Sequence, residues 1–107
     1  MKLAKLVYEV TCLMPKAEQF GLVSQMRRAA VSVPSNIAEG YARQSTADYL
    51  KFLRFARGSL AELSTQFELS VELKTVAHTP KLAELTAMLA EEDRVLQGLI
   101  RSLERKT

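Results

Sequence analysis

The residues best suited to chemistry in this chain are its arginines and lysines. Lys51, Arg54 and Arg57 recur at every third position of one segment, Arg27 and Arg28 sit side by side upstream, and Arg43 lies in the polar stretch between them. A guanidinium presents a planar fork of donors that suits phosphate oxygens, so such residues along one side of a helix form a surface for a nucleic-acid backbone. The same residues serve equally well as a solvated helix face with intrachain pairs. Glu39 and Arg43, four apart, have the spacing of one such pair. Spacing alone favours the solvated face. No aromatic interleaving suggests base stacking, so nucleic-acid binding is expected to rest on backbone contacts and shape.

Other chemistries find little to work with. His78 is the only histidine, so a two-histidine metal site within one chain is impossible, and its place at a helix junction reads as an exposed turn residue. The single cysteine, Cys12, cannot form an intramolecular disulfide, which fits a reducing compartment. Its apolar neighbours make it read as a small core residue rather than a nucleophile. The chain carries no Glu-x-x-His element of the kind that builds carboxylate-bridged metal centres in helix bundles. Gly21, Gly40, Gly58 and Gly98 are isolated, so there is no glycine-rich phosphate loop. The expectation is a non-enzymatic protein with no catalytic residues, metal or cofactor.

Net charge is only +3, but its distribution is uneven. From Arg27 to Arg57 six Lys or Arg face two acids, from Glu62 to Asp93 seven acids face two bases, and the chain turns basic again from Arg94. Such a field can orient an anionic partner or pair copies of the chain with each other. Lys2 and Lys5 precede an apolar run that Glu9 interrupts before a signal-peptide core could form, and no stretch approaches the length of a bilayer span. The chain is expected to be cytoplasmic, with no membrane partner.

The elements that must position these residues are helices. With 107 residues the chain is the size of one domain, spanning 1–107, and apolar residues recur at helical spacing almost throughout. The first segment, about 2–14, places Leu3, Leu6, Val7, Val10 and Met14 on one face before Pro15. The second, about 18–42, aligns Leu22, Met26, Ala29, Val33, Ile37 and Gly40. Pro34 in its interior predicts a kink or local break, with Ser35 and Asn36 suited to rescue the freed backbone. The third, 46–77, opens on Ser45-Thr46-Ala47-Asp48, which has the form of a capping box. The fourth, 80–105, opens on Thr79-Pro80, a capping residue before a proline at the first helical position, and repeats Leu82, Leu85, Leu89, Leu96, Leu99 and Leu103. Four helices with short connections predict an all-α, antiparallel up-and-down four-helix bundle.

Two further features stand out. Arg28, Ser32, Asn36, Glu39 and Arg43 form a polar ladder beside small residues that include Ala29, Ala30 and Gly40, the pattern of a tight, hydrogen-bonded helix contact. The third segment also has more apolar surface than one neighbour could cover. Leu50, Phe55, Leu69 and Leu73 fall outside its main apolar sector, and Val31 points away from that of the second helix. These five are the candidate oligomer interface, for a second copy of the chain or another protein.

Three runs carry a resemblance to a known family. They are Phe20-Gly21-Leu22-Val23-Ser24-Gln25-Met26-Arg27-Arg28-Ala29-Ala30, then Val31-Ser32-Val33-Pro34-Ser35-Asn36-Ile37-Ala38-Glu39-Gly40-Tyr41, and Ala56-Arg57-Gly58-Ser59-Leu60-Ala61-Glu62-Leu63. The chain resembles the four-helix-bundle proteins encoded in intervening sequences of bacterial 23S ribosomal RNA genes, a group that includes the accessory variability proteins of diversity-generating retroelements. The match covers about residues 10 to 75 well and the fourth helix by pattern. It implies a four-helix bundle that assembles as a homopentamer, with a positive surface used on RNA or DNA in the retroelement members. Many members have no assigned biochemical activity. The resemblance raises Arg27, Arg28 and Arg43 as nucleic-acid contacts, although they could instead pair with Glu39 and Glu62. Relatives begin with a longer first helix, and this chain starts near its middle.

Overall fold

Ser45 and Thr79 begin the two longest helices as their side chains predict. In the computed structural model, which describes residues 2–106, the Ser45 hydroxyl accepts from the Asp48 amide at 3.1 Å and the Thr79 hydroxyl from the Leu82 amide at 3.2 Å. Each satisfies an amide that has no partner within its helix. The helices are α1 (Lys2–Thr11), α2 (Leu22–Ala42), α3 (Thr46–Glu72) and α4 (Pro80–Glu104), with a short 3-10 turn at Lys16–Glu18. No strand is present among the described residues.

Each helix packs on the next, and α1 also packs on α4, which closes the ring. The result is an all-α four-helix bundle measuring 46 × 23 × 20 Å. Val7, Met26, Leu53, Leu60, Leu63 and Leu85 lie fully inside it. Burying a side chain of this size stabilises the fold by roughly 1.5–3 kcal/mol before entropy is counted. Leu3, Leu6, Val7 and Val10 of α1, and Met14 just beyond its end, are all buried, as their spacing predicts.

The helix ends differ from the expected limits for local reasons. α1 closes at Thr11, whose buried hydroxyl donates back to the Val7 carbonyl at 2.7 Å. The chain then tightens so that the Met14 amide reaches the Thr11 carbonyl at 3.0 Å. α2 begins at Leu22 rather than near Glu18, because the residues after Pro15 form the 3-10 turn and Gly21 takes the N-cap position. α3 ends at Glu72, not 77. Lys74 adopts a left-handed φ of 57°, the Thr75 amide bonds the Ser70 carbonyl and the Lys74 amide that of Val71, both at 3.0 Å. This paired capping pattern usually employs glycine, so a lysine there hid the stop.

Pro34 does not break α2, which runs helical from Leu22 to Ala42. Asn36 does not reach the Ala30 carbonyl that Pro34 leaves free. Its amide instead donates to the Ser32 carbonyl at 2.8 Å and the Ser32 hydroxyl at 2.9 Å. Ser32 in turn meets Ser59 of α3 at 2.9 Å, a polar rivet across the α2–α3 joint. On the opposite side Lys81 of α4 donates to Glu9 of α1. That hydrogen bond lowers the Glu9 carboxyl below its ordinary value and raises the Lys81 ammonium above its own.

Candidate nucleic-acid interface

The α2–α3 joint is tightest at its turn, and the cause is a missing side chain. A Cβ on Gly40 would stand 2.7 Å from the Phe52 Cβ and 3.1 Å from the Tyr49 ring. Only glycine lets α3 approach this closely, so Tyr49 and Phe52 lie directly on the α2 backbone. Tyr41, one residue on, meets Tyr49 edge to face with ring centroids 6.0 Å apart, and Phe52 meets Phe55 likewise at 5.7 Å. The inner rings, Tyr49 and Phe52, are half-buried, whereas Tyr41 is 77% exposed and Phe55 49%. Two of the candidate cations stand over this cluster. The Arg43 guanidinium is 5.0 Å from the Phe52 centroid, and the Lys51 ammonium is 5.9 Å from that of Phe55. Arg43 also bonds Glu39 at 2.5 Å, the i,i+4 pair its spacing predicts.

Arg54 and Arg57, on the same stripe as Lys51, face elsewhere. Arg54 donates to Glu104 at 2.7 Å and Arg57 to Asp93 at 3.0 Å, both across the α3–α4 seam. These four residues line one stretch of a groove of about 1230 Å³ between the two helices, and Glu68 and Glu72 line another. An anion entering there would have to displace carboxylates. Arg27 belongs to a third location. Its Nε donates to the Thr11 hydroxyl at 2.9 Å, and its guanidinium lies 4.6 Å from the Tyr8 centroid. Arg28 beside it is exposed and pairs with no acid among the described residues. Both border a shallow groove of about 690 Å³ with Tyr8, Phe20 and Val31. The six candidate cations therefore occupy three places: the α2–α3 turn, the α3–α4 seam and the α1–α2 face.

Three expectations need correction. Leu50 is only 5% exposed and belongs to the core, so it offers nothing to a second chain. It continues the Leu53 and Leu60 stripe, because α3 has two neighbours, α2 and α4, rather than one. Val31, Phe55, Leu69 and Leu73 do remain exposed, at 44, 49, 44 and 56%. Cys12 is exposed at the end of α1 and is not a core residue. Finally, the aromatics do interleave with the cations, and Tyr49-Leu50-Lys51-Phe52-Leu53-Arg54-Phe55 already carries that alternation. What the linear run does not reveal is that Tyr41 and Gly40 join it from the neighbouring helix.

His78 is exposed in the α3–α4 connection. Among the described residues no group of three or more His, Cys, Asp or Glu is placed to hold a metal ion, and no helix is long and apolar enough to cross a membrane. No curated protein sequence matches the chain. The family model described as 23S rRNA-intervening sequence protein matches residues 1–98. With the bundle and the matched span together, the chain belongs to the 23S rRNA-intervening sequence protein family.

Proposed function

We propose that this protein is a non-enzymatic, cytoplasmic, oligomeric bundle that binds nucleic acid through the cations of its α2–α3 side, in an accessory role to an RNA or retroelement process. The observation that carries the reading is the pairing of exposed cations with the ring cluster at the α2–α3 turn, Arg43 over Phe52 and Lys51 over Phe55, in a cluster that leaves Tyr41 and Phe55 open to solvent. Arg28 adds an exposed cation on the α1–α2 face. Arg54 and Arg57 are engaged by Glu104 and Asp93, and Arg27 by the Thr11 hydroxyl, so these three add to the surface only when released from those partners. The resemblance to the retroelement accessory proteins supports both the nucleic-acid role and a homopentamer.

The test is a titration of the purified protein against structured RNA and duplex DNA at low and near-physiological salt, with its mass in solution measured alongside. Binding by an oligomer that weakens steeply with salt is the expected result. No binding at low salt would remove the reading.

One observation favours a second reading, an adaptor whose main property is self-association or protein binding. Leu69 near the end of α3 and Leu73, which caps it, are about half exposed four residues apart, and Val31 is similarly open on α2. Alanine at Leu69 and Leu73 that dissolves the oligomer, in a protein that binds no nucleic acid, would favour this alternative.

A further inference from the structure

We propose that the α2–α3 turn captures unpaired nucleotides of a single-stranded nucleic acid, with bases stacked on Tyr41 and Phe55 and adjoining phosphates held by Arg43 and Lys51. This rests on the nucleic-acid reading above and adds to it the class of strand and the atoms that would hold it.

Four observations converge. First, Tyr41 is 77% exposed and Phe55 49%, so two ring surfaces are left to solvent at one end of the bundle. Second, neither ring stands alone. Tyr41 rests edge to face on Tyr49 at 6.0 Å and Phe55 on Phe52 at 5.7 Å. The inner rings are seated on Gly40, where even a methyl group would collide at 2.7 Å with Phe52. The platform is thus held before a ligand arrives, which lowers the ordering cost of binding. Third, Arg43 and Lys51 lie 5.0 and 5.9 Å from the Phe52 and Phe55 centroids, close enough to reach a phosphate beside a stacked base. Fourth, the Arg54–Glu104 pair brings the end of α4 to the same end of the bundle, where Arg105 and Lys106 follow.

The chemistry selects the strand. A base offers its flat face only when it is outside a duplex, and stacking on aromatic side chains beside cations is how proteins hold single strands without sequence preference. An apolar protein partner laid over the same rings would strip water from Lys51, which no carboxylate pairs among the described residues, without neutralising it. A polynucleotide supplies both the π face and the negative charge.

The test uses the intact protein with a fluorescently labelled oligouridylate of about 12 nucleotides and a duplex RNA of matching length. The expected result is tighter binding of the strand than of the duplex. Tyr41→Ala and Phe55→Ala should each weaken strand binding about tenfold. Duplex binding, helicity and solution mass should stay unchanged. Tyr41→Phe should retain strand binding. The protein has no tryptophan and three tyrosines, so strand binding should also quench tyrosine emission, less so in Tyr41→Phe. Equal binding of strand and duplex, untouched by Tyr41→Ala, would overturn the stacking inference and leave the nucleic-acid reading standing. Failure of the wild-type protein to bind either probe would overturn both. A fall in oligomeric mass in Phe55→Ala would make this end a subunit contact and overturn the inference in favour of a protein partner.

Discussion

The two long seams of α3 use similar residues to opposite ends. Toward α2 the closest contacts involve small groups, Gly40 against Phe52 and Ser32 against Ser59, and the nearby cations Arg43 and Lys51 lie over the rings of Phe52 and Phe55. Toward α4 the helices leave a groove of about 1230 Å³, and Arg54 and Arg57 reach across it to Glu104 and Asp93. A periodic stripe of positive charge on one helix is therefore not one surface. Lys51 lies on the side where backbone approach holds the helices together and charge is spare. Arg54 and Arg57 lie on the side where charge does the joining.

The largest expected effect comes from breaking the close approach. Glycine in a helix interior is normally a loss, and alanine gains about 0.5–1 kcal/mol where space allows. Gly40→Ala should instead destabilise the fold, because relieving a 2.7 Å contact with a Cβ requires moving α3 and overpacking costs about 1–3 kcal/mol. Gly98→Ala, with nothing within 4 Å of the added methyl, should stabilise by about 0.5–1 kcal/mol. Thermal or urea unfolding of the two variants reads the difference. Two shifts of the same sign would break the comparison.

Releasing the seam arginines is the next largest change. Asp93→Asn with Glu104→Gln should cost little stability, since exposed pairs contribute about 0–1 kcal/mol each. It should raise nucleic-acid affinity severalfold at low salt by freeing Arg54 and Arg57 for phosphate. Unchanged affinity would mean that the groove is closed to nucleic acid even when its cations are free.

The smallest effect lies on the far side, where Lys81 bonds Glu9. The Glu9 carboxyl is lowered, so its contribution is present above the ordinary carboxylate value of 4.5 and is lost as the pH falls through the lower folded value. Lys81 is raised, so its share is lost only as the pH rises past its raised value, above 10.5. Glu9→Gln should therefore melt slightly below the wild type at neutral pH, with the gap closing in acid. A gap that persists in acid would remove the ion pair as its cause.

Much of this architecture was legible beforehand, and the exceptions share a cause. Ser45 and Thr79-Pro80 announced two helix starts because capping uses side chains that can be read in order. The α3 stop was hidden because Lys74 fills a position that glycine usually marks. Leu50 looked like spare surface because the second neighbour of α3 cannot be counted from one helix. The aromatic platform was half written in Tyr49 to Phe55, but its cohesion depends on Gly40 and Tyr41, which only the α2–α3 turn brings alongside. Local signals were readable, and juxtapositions between helices were not.

The most direct measurement compares two double variants in a salt titration of duplex binding. Removing Arg43 and Lys51 as glutamines should lower the slope of log affinity against log salt by about 1.5–2, the loss of two phosphate contacts. Removing Arg54 and Arg57 should leave the slope nearly unchanged and soften the α3–α4 seam instead. The reverse pattern, with the slope carried by Arg54 and Arg57, would contradict the division between the two sides of α3.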